Sequence, residues 1–474
     1  MPLSPTRIAE RPTFLDWALR PFSKVAPGEG LVAALLLTCV FLILTGYYLL
    51  KTAREGMILS GSLFGLRGEE LKSYAGGAMA VLLLAIIPAY DAIATRARRI
   101  RLINISYVLV VACLGVFFIL AERGVSIGLA FFIWIGIVNL FLVAQFWSFA
   151  NDLYTEEQGK RLFAIIAIGG SVGAIVGPEL ARLASTYMLL PGAAVLFVLA
   201  LVLFNLVEKV HRRAPDAARV ADEPIDGEGG FSLLKHDRYI LLIAALVLVA
   251  ELVKTTGEFV LSSAATHHAA QLIPATAHAD LAGAARAAAI RDDRREVIKQ
   301  FYSSFFFWVN VVGFAIQAFA VSRIIEKLGV RRSLFVMPIV VGGAYVAIAA
   351  IGGVALIRAA KVAENGTEYS LQNTVRQALF LPTTRAVKYK AKAAIDTFVV
   401  RAGDTLSAGV VWFGIHVARA DARGIAASNV AFVVIWLVIA AGIARWHRRL
   451  STGEVSHTSP LSNRHIPVVQ SAPR

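Results

Sequence analysis

The chain has 474 residues, of which 57% are hydrophobic and only 17% charged, with a formal net charge of +15. That balance excludes a soluble globule, because too little polar surface remains to face water. Cys39 and Cys113, the only two cysteines, both fall inside apolar runs, which excludes a disulfide framework or a thiolate metal site.

Apolar runs long enough for the ~30 Å hydrocarbon core of a bilayer recur at 30–56, 72–90, 102–121, 126–149, 161–185, 189–207, 239–264, 301–321, 332–352, 354–380, 393–415 and 424–444. They predict an all-α polytopic membrane protein with twelve transmembrane helices. Residues 1–29 lack the apolar centre of about 7–15 residues that a cleavable signal carries and read as a cytoplasmic segment. With the N-terminus inside, the inner connections are 1–29, 91–101, 150–161, 208–238, 322–332, 382–392 and the tail 445–474. These hold 29 of the 47 Lys and Arg residues. The positive-inside rule then predicts a bacterial inner-membrane protein with both termini cytoplasmic. The same bias accounts for the positive charge with no nucleic-acid partner.

The chain also repeats itself. Lys51 aligns with Lys254, and Glu55 with Glu258, at one common offset of 203. Residues 30–207 and 239–444 therefore read as two six-helix bundles, joined by the polar linker 208–238. Six plus six around a central inner connection is the major facilitator architecture.

Lys51 and Glu55 stand one helical turn apart, as do Lys254 and Glu258, so each pair shares a face and can form an ion pair. Glu251 lies three residues before Lys254 on much the same face. A charge in lipid costs at least ~2.5 kcal/mol on insertion scales, so these groups are expected to face an interior cavity. In the tenth span Arg358, Lys361, Asn365, Glu368, Gln372 and Arg376 step by 3, 4, 3, 4 and 4. That period places them on one stripe lining water, with Tyr369 and Asn373 beside it. At the end of the fourth span Asn151 and Asp152 are expected at the cavity floor, and Trp147 is positioned to stack on a flat ligand. Lys160, Arg161, Arg385, Lys390 and Lys392 are assigned to a cytoplasmic gate. The glycines of "IGGSVGAIVGP" suit close helix packing. The outer connection 265–300 reads as solvated, with a helical piece at 281–290. No GxxxxGK[ST] loop and no nucleophile–base set among nine scattered histidines are present, so neither an ATP-driven pump nor an enzyme is expected, and no metal or cofactor.

The stretches "YYLLKTAREGMIL", "FWSFANDLYTEEQGKRLFAIIAIGGSVGA", "EYSLQNTVRQALFLP" and "KYKAKAAIDTFVVRAGD" resemble the nucleotide (ATP/ADP) translocases of plastids and intracellular bacteria, which have relatives in free-living bacteria. The resemblance implies a major-facilitator-like fold and ATP/ADP antiport. Where the family's first helix typically reads Arg-x-x-Lys-Asp, this chain has Lys51, Arg54 and Glu55. In the seventh helix the signs at Lys254 and Glu258 are swapped, and a family Lys-Glu pair corresponds to Arg376-Gln377. Phosphate is bound by Lys and Arg, which makes Lys51, Arg54, Lys254 and Arg376 the expected phosphate ligands. Glu55, Glu251 and Glu258 are expected to orient them or to contact ribose and base. Three cations against three acids around the first and seventh helices also leave open a proton-coupled transporter of another organic anion. A monomer in the lipid bilayer is expected in either case.

Overall fold

The computed structural model describes residues 14–19, 24–94, 99–211, 237–381, 383, 387 and 391–451. Helix α1 (Phe14–Leu19) lies outside the bundle and supplies a cap. The buried Asp16 carboxylate accepts from Gly30 N at 2.7 Å and Gly28 N at 3.1 Å, satisfying two donors at the start of α2 (Gly30–Leu59) that have no helical partner. The first bundle continues with α3 (Gly68–Ala94), α4 (Arg99–Glu122), α5 (Gly128–Leu153), α6 (Glu156–Arg182) and α7 (Leu189–His211). A two-residue ribbon, Ser62–Leu63 against Leu66–Arg67, turns the chain between α2 and α3 through Phe64 and Gly65, both at positive φ.

The second bundle opens with α8 (Arg238–Leu272) and α9 (Gly283–Ala315). A π-helical turn, Ile316–Ala320, leads from α9 straight into α10 (Val321–Ser333). Then follow α11 (Val336–Ala350), α12 (Val354–Thr367), a π turn at Glu368–Gln372, and α13 (Asn373–Leu379). The short α14 (Lys392–Ala394), a third π turn at Ile395–Val399, α15 (Val400–His416) and α16 (Ala422–Ser451) complete it. The 265–300 connection differs from the sequence expectation. It is mostly the continuation of α8 and α9, with His278 Nε2 held to Asp293 at 2.8 Å.

Among the described residues nine helices are long and apolar enough to cross a membrane. The other three expected spans are helical as well: α3 carries an uncharged apolar stretch at 73–90 after its charged start, α11 has 15 residues, and α12–α13 carries the polar stripe. Outward-facing apolar side chains such as Leu109, Val202 and Val438, each more than half exposed, form the surface that lipid covers.

The internal repeat is visible in the packing. Helix α2 packs on α6 and α7, the fifth and sixth of its bundle, and its counterpart α8 packs on α15 and α16. Across the middle, α6 meets α9 and α3 meets α15, a reciprocal pairing of fifth with second helices.

The seam between α2 and α6 is tight because glycines let the two backbones touch. A Cβ on Gly169 would stand 2.2 Å from the Leu37 carbonyl oxygen, and one on Gly173 2.5 Å from that of Phe41. Gly173→Val is therefore expected to abolish accumulation of folded protein, measured as the monodisperse fraction after detergent extraction; a wild-type yield would overturn this reading of the seam.

The seam between α6 and α9 has a different cause. Pro178 has no N–H to donate to the Ala174 carbonyl, and Asn310 of α9 donates to that oxygen instead, at 2.9 Å. Tyr48 in turn donates to Asn310 at 3.0 Å. Toward the ends of the two helices Gln300 donates to Arg182 O at 3.1 Å and Glu296 accepts from Thr186 N at 2.8 Å. The buried Lys299 ammonium reaches Ala184 O and Glu296. These bonds seal the two bundles together at one end.

Candidate functional site

Two adjoining cavities lie inside the bundle. One, of about 220 Å³, is lined by Lys51, Arg54, Glu55, Lys72, Glu258 and Asp404, among others. The second, of about 360 Å³, is lined by Glu251, Glu364, Glu368, Gln372, Asn373 and Arg376, among others. Lys254 and Tyr369 line both, so the two spaces share a wall.

Local structure aims these groups inward. The π turn Glu368–Gln372 widens the helix after α12 by one residue, a device found at functional sites. It keeps Glu368 and Gln372 on the cavity side although the steps of 3 and 4 continue past them. Helix α12 places Lys361 and Glu364 one turn earlier, with 0% and 2% of their surfaces exposed.

The ion pairs are not the ones helical spacing suggests. Glu55 pairs with Arg54 at 3.0 Å and with Lys72 of α3 at 2.8 Å, and not with Lys51. Glu258 pairs across helices with Lys72 at 3.7 Å and Lys361 at 3.6 Å, and not with Lys254. Lys254 instead joins Glu251 and, at 3.1 Å, Glu368. Lys361 also holds Glu364 at 3.0 Å, where Tyr345 OH donates at the same distance. Arg401 holds Asp404 at 2.9 Å, and Thr255 donates to that carboxylate at 3.0 Å. Competition explains the outcome: an i,i+4 pair on one helix gains only ~0.2–0.5 kcal/mol, and a better-placed partner exceeds it, whether on a neighbouring helix, as Lys72 and Lys361 are, or three residues away on the same one, as Glu251 is from Lys254.

Lys51 is the exception. It makes no ion pair among the described residues, and its ammonium lies over the rings of Phe306, Tyr48 and Tyr47 at 4.3, 5.1 and 5.9 Å from their centroids. Lys72 is bonded across the interface to Ser262 at 3.0 Å and Tyr302 at 3.3 Å. It belongs to the first bundle while both of those residues belong to the second. The two cavities are lined by the cations Lys51, Arg54, Lys72, Lys254 and Arg376 and by the carboxylates of Glu55, Glu69, Glu251, Glu258, Glu364, Glu368, Asp396 and Asp404, and Lys361 and Arg401 pair with three of those acids from behind.

The structure thus brings together Lys51, Arg54, Glu55, Glu251, Lys254, Glu258, Glu368, Tyr369, Gln372, Asn373 and Arg376. Trp147, Asn151 and Asp152 line neither cavity. Trp147 packs edge-on against Phe146 and Phe163, and Asp152 is paired with Arg99. Of the gate residues, Arg161 bonds Glu29 of its own bundle at 3.0 Å, and Lys160 is exposed. Partial burial works to raise the Glu29 carboxyl, and hydrogen bonds from Arg161, Ala26 N and Gln158 outweigh it and hold that group below the usual carboxylate range. Lys392 pairs with Asp396 at 3.1 Å, and Asp396 reaches Arg376 at 4.0 Å. Arg385 and Lys390 lie outside the described residues.

Sequence reasoning missed Lys72, Glu364, Arg401 and Asp404 as site residues. Lys72 follows Glu69 and Glu70, and such a cluster at the head of a span reads as an interfacial boundary. No periodicity marks it as facing inward.

The fold is a polytopic bundle of the major facilitator type with a set of charges gathered in its interior. In sequence the chain is similar to ADP,ATP carrier proteins. It is 22% identical over 308 residues to the ADP,ATP carrier protein 1 of Chlamydia trachomatis serovar D, a match covering 56% of this chain and 54% of that protein. It is 23% identical over 310 residues to the ADP,ATP carrier protein 1 of Chlamydia pneumoniae, covering 56% of each. The chain thus spans about half the length of the curated relatives it matches. No protein-family model matches it. Among solved structures it is similar to a bacterial homologue of the lysosomal transporter Spinster in an inward-facing, unoccupied conformation, with a TM-score of 0.56 and 12% identity over 90% of this chain and 99% of that one. A bacterial homologue of the iron transporter ferroportin, also inward-facing, gives 0.58 and 13% over 87% and 98%. At such identities the likeness shows the fold.

Proposed function

We propose that the protein exchanges ATP and ADP across the bacterial inner membrane by alternating access, as a monomer with both termini cytoplasmic. In this reading 30–207 and 239–444 rock about the shared cavity, tied by the linker 208–238. The observation that carries it is the convergence of cations from both bundles on two adjoining interior spaces: Lys51, Arg54 and Lys72 from the first, Lys254 and Arg376 from the second. A nucleotide carries roughly three to four phosphate charges, for which Lys and Arg are the natural ligands. Lys51, held by aromatic faces alone, is the cation an entering phosphate reaches without displacing a carboxylate. Beyond it, phosphate oxygens would compete with Glu55 for Arg54 and with Glu368 for Lys254. The buried amides of Asn365 and Gln372, whose oxygens accept no hydrogen bond, suit the edge of a base, and the Tyr369 ring suits its face.

The carboxylates that already pair with nearly every cation of the site favour a second reading. A site that closes on its own ion pairs has no need of a counter-substrate, so a glutamate could take up a proton and drive net uptake of another organic anion. Purified protein in proteoliposomes separates the two. Exchange predicts uptake of radiolabelled ADP only into vesicles preloaded with cold ATP or ADP. Equal uptake into empty vesicles, or none at all with folded protein, would reject exchange. Accumulation of another organic anion that requires an acid exterior would establish the proton-coupled reading.

A further inference from the structure

Away from the central site, a cavity of about 780 Å³ opens where α10 and α16 end. Lys327, Arg331, Arg332, Arg445 and Arg448 line it, together with Phe335, and among the described residues no carboxylate does. Lys327, Arg331, Arg332 and Arg445 have no ion-pair partner among the described residues. The backbone builds this hollow. Gly329, at φ 70° and ψ 164°, breaks the helix between Lys327 and the two arginines, a conformation a β-carbon resists. Ser333 pins the break by donating to Gly329 O at 2.8 Å. Arg445 and Arg448, three residues apart on α16, close the other side.

The positive-inside bias explains why these residues are basic. It does not require two elements more than a hundred residues apart to turn their cations into one concavity, where the like charges of Arg331, Arg332 and Arg445 favour an anion. The surroundings say which anion. Ile339, one turn past Phe335 on α11, is 61% exposed, and Val438, two turns before Arg445 on α16, is 67% exposed. Helices α11 and α16 pack against each other, so the basic hollow is continuous along these two helices with an exposed apolar surface of the kind lipid covers. Trp446 stands beside Arg445, and the Arg449 guanidinium lies 6.0 Å from its ring centroid; an aromatic ring there suits the headgroup level.

We propose that this hollow binds the headgroup of an anionic phospholipid, with its phosphodiester held by Arg331, Arg332 and Arg445 and an acyl chain lying between α11 and α16. Basic pockets between helices on the cytoplasmic side are suited to such headgroups. The site is independent of the transported substrate and stands whether or not nucleotide exchange does.

Native mass spectrometry of the delipidated full-length protein tests it, with dioctanoyl phosphatidylglycerol, dioctanoyl phosphatidylcholine and inorganic pyrophosphate as probes. Phosphatidylglycerol is expected to bind at least about tenfold more tightly than phosphatidylcholine, since each nearby basic residue contributes ~1 kcal/mol to an anionic lipid. Arg331→Gln/Arg445→Gln should remove that preference. Arg101→Gln/Lys209→Gln, an equal charge loss at the ends of α4 and α7, should keep it. Lys327→Gln/Arg332→Gln carries the same test should the first pair fail to fold. Equal binding of the two lipids, or a preference unchanged in both hollow variants, would overturn the proposal. Pyrophosphate binding that both hollow variants lose, without lipid preference, would instead make the hollow a site for free phosphate and equally overturn the lipid.

Discussion

Lys51→Ala is expected to cut nucleotide uptake about 100-fold, at the upper end of the ~1.5–3 kcal/mol that one charged hydrogen bond supplies, while the protein folds as before. The two halves of that result have one cause. Lys51 forms no direct ion pair among the described residues and is held by the faces of Phe306 and Tyr48, and the nearby Glu258 keeps Lys72 and Lys361, so its removal leaves no buried acid without a partner. The stability lost is that of an aromatic contact, roughly 0.5–1 kcal/mol. Lys254→Ala is the informative contrast. It should abolish uptake too, but it also leaves Glu251 and Glu368 facing each other without their shared ammonium, and its melting midpoint should fall. Uptake in proteoliposomes and thermal melts in detergent measure both quantities. Full uptake by Lys51→Ala would remove it from the substrate path, and an equal loss of stability in the two variants would contradict the pairing described here.

Lys361→Met should be the most destabilising single change in the site. The ammonium is fully buried and serves Glu258 and Glu364 at once. Removing one partner of a buried pair costs about 3–5 kcal/mol because the other charge stays behind. Glu364 would then keep only the Tyr345 hydroxyl. Removing both charges is a different matter, since a buried pair replaced as a unit is often neutral. Lys361→Met/Glu364→Gln, which preserves an acceptor for Tyr345, is therefore expected to recover most of the lost midpoint. A double variant no more stable than the single one would mean that Glu258 is the partner that matters. Neither variant is expected to transport, because Lys361 also sets the position of Glu258 between the two bundles.

Much of this was legible in the residues. The apolar runs fall on helices, and nine helices among the described residues are long and apolar enough to cross a membrane, because a span must satisfy its backbone internally and must be apolar along about twenty residues. The eighth is where the reading fell short. Its helix runs from Gly283 to Ser333, and its first half is charged and Ala-rich, with no apolar signal to betray that it continues the span. The glycines of α6 were legible as a packing seam for the same reason that the spans were: a local composition with one physical use. Trp147, Asn151 and Asp152 show the converse. Their residue types suit a ligand, but a helix presents a full circle of faces, and neighbouring helices decide which of them looks inward.

By itself the sequence determined the class of protein, its two related halves, and an interior charge set too costly to leave in lipid. These follow from composition, periodicity and a repeated offset, all of which act along a single chain. Only the tertiary structure decided the partners. Lys51 and Glu55 are one turn apart, but Glu55 meets Lys72, which lies on the next helix, and Glu258 meets Lys72 and Lys361 across the bundle. An ion pair goes to the best-placed and best-buried opposite charge, and in a bundle of packed helices that neighbour is set by geometry between helices, which no spacing along one of them encodes.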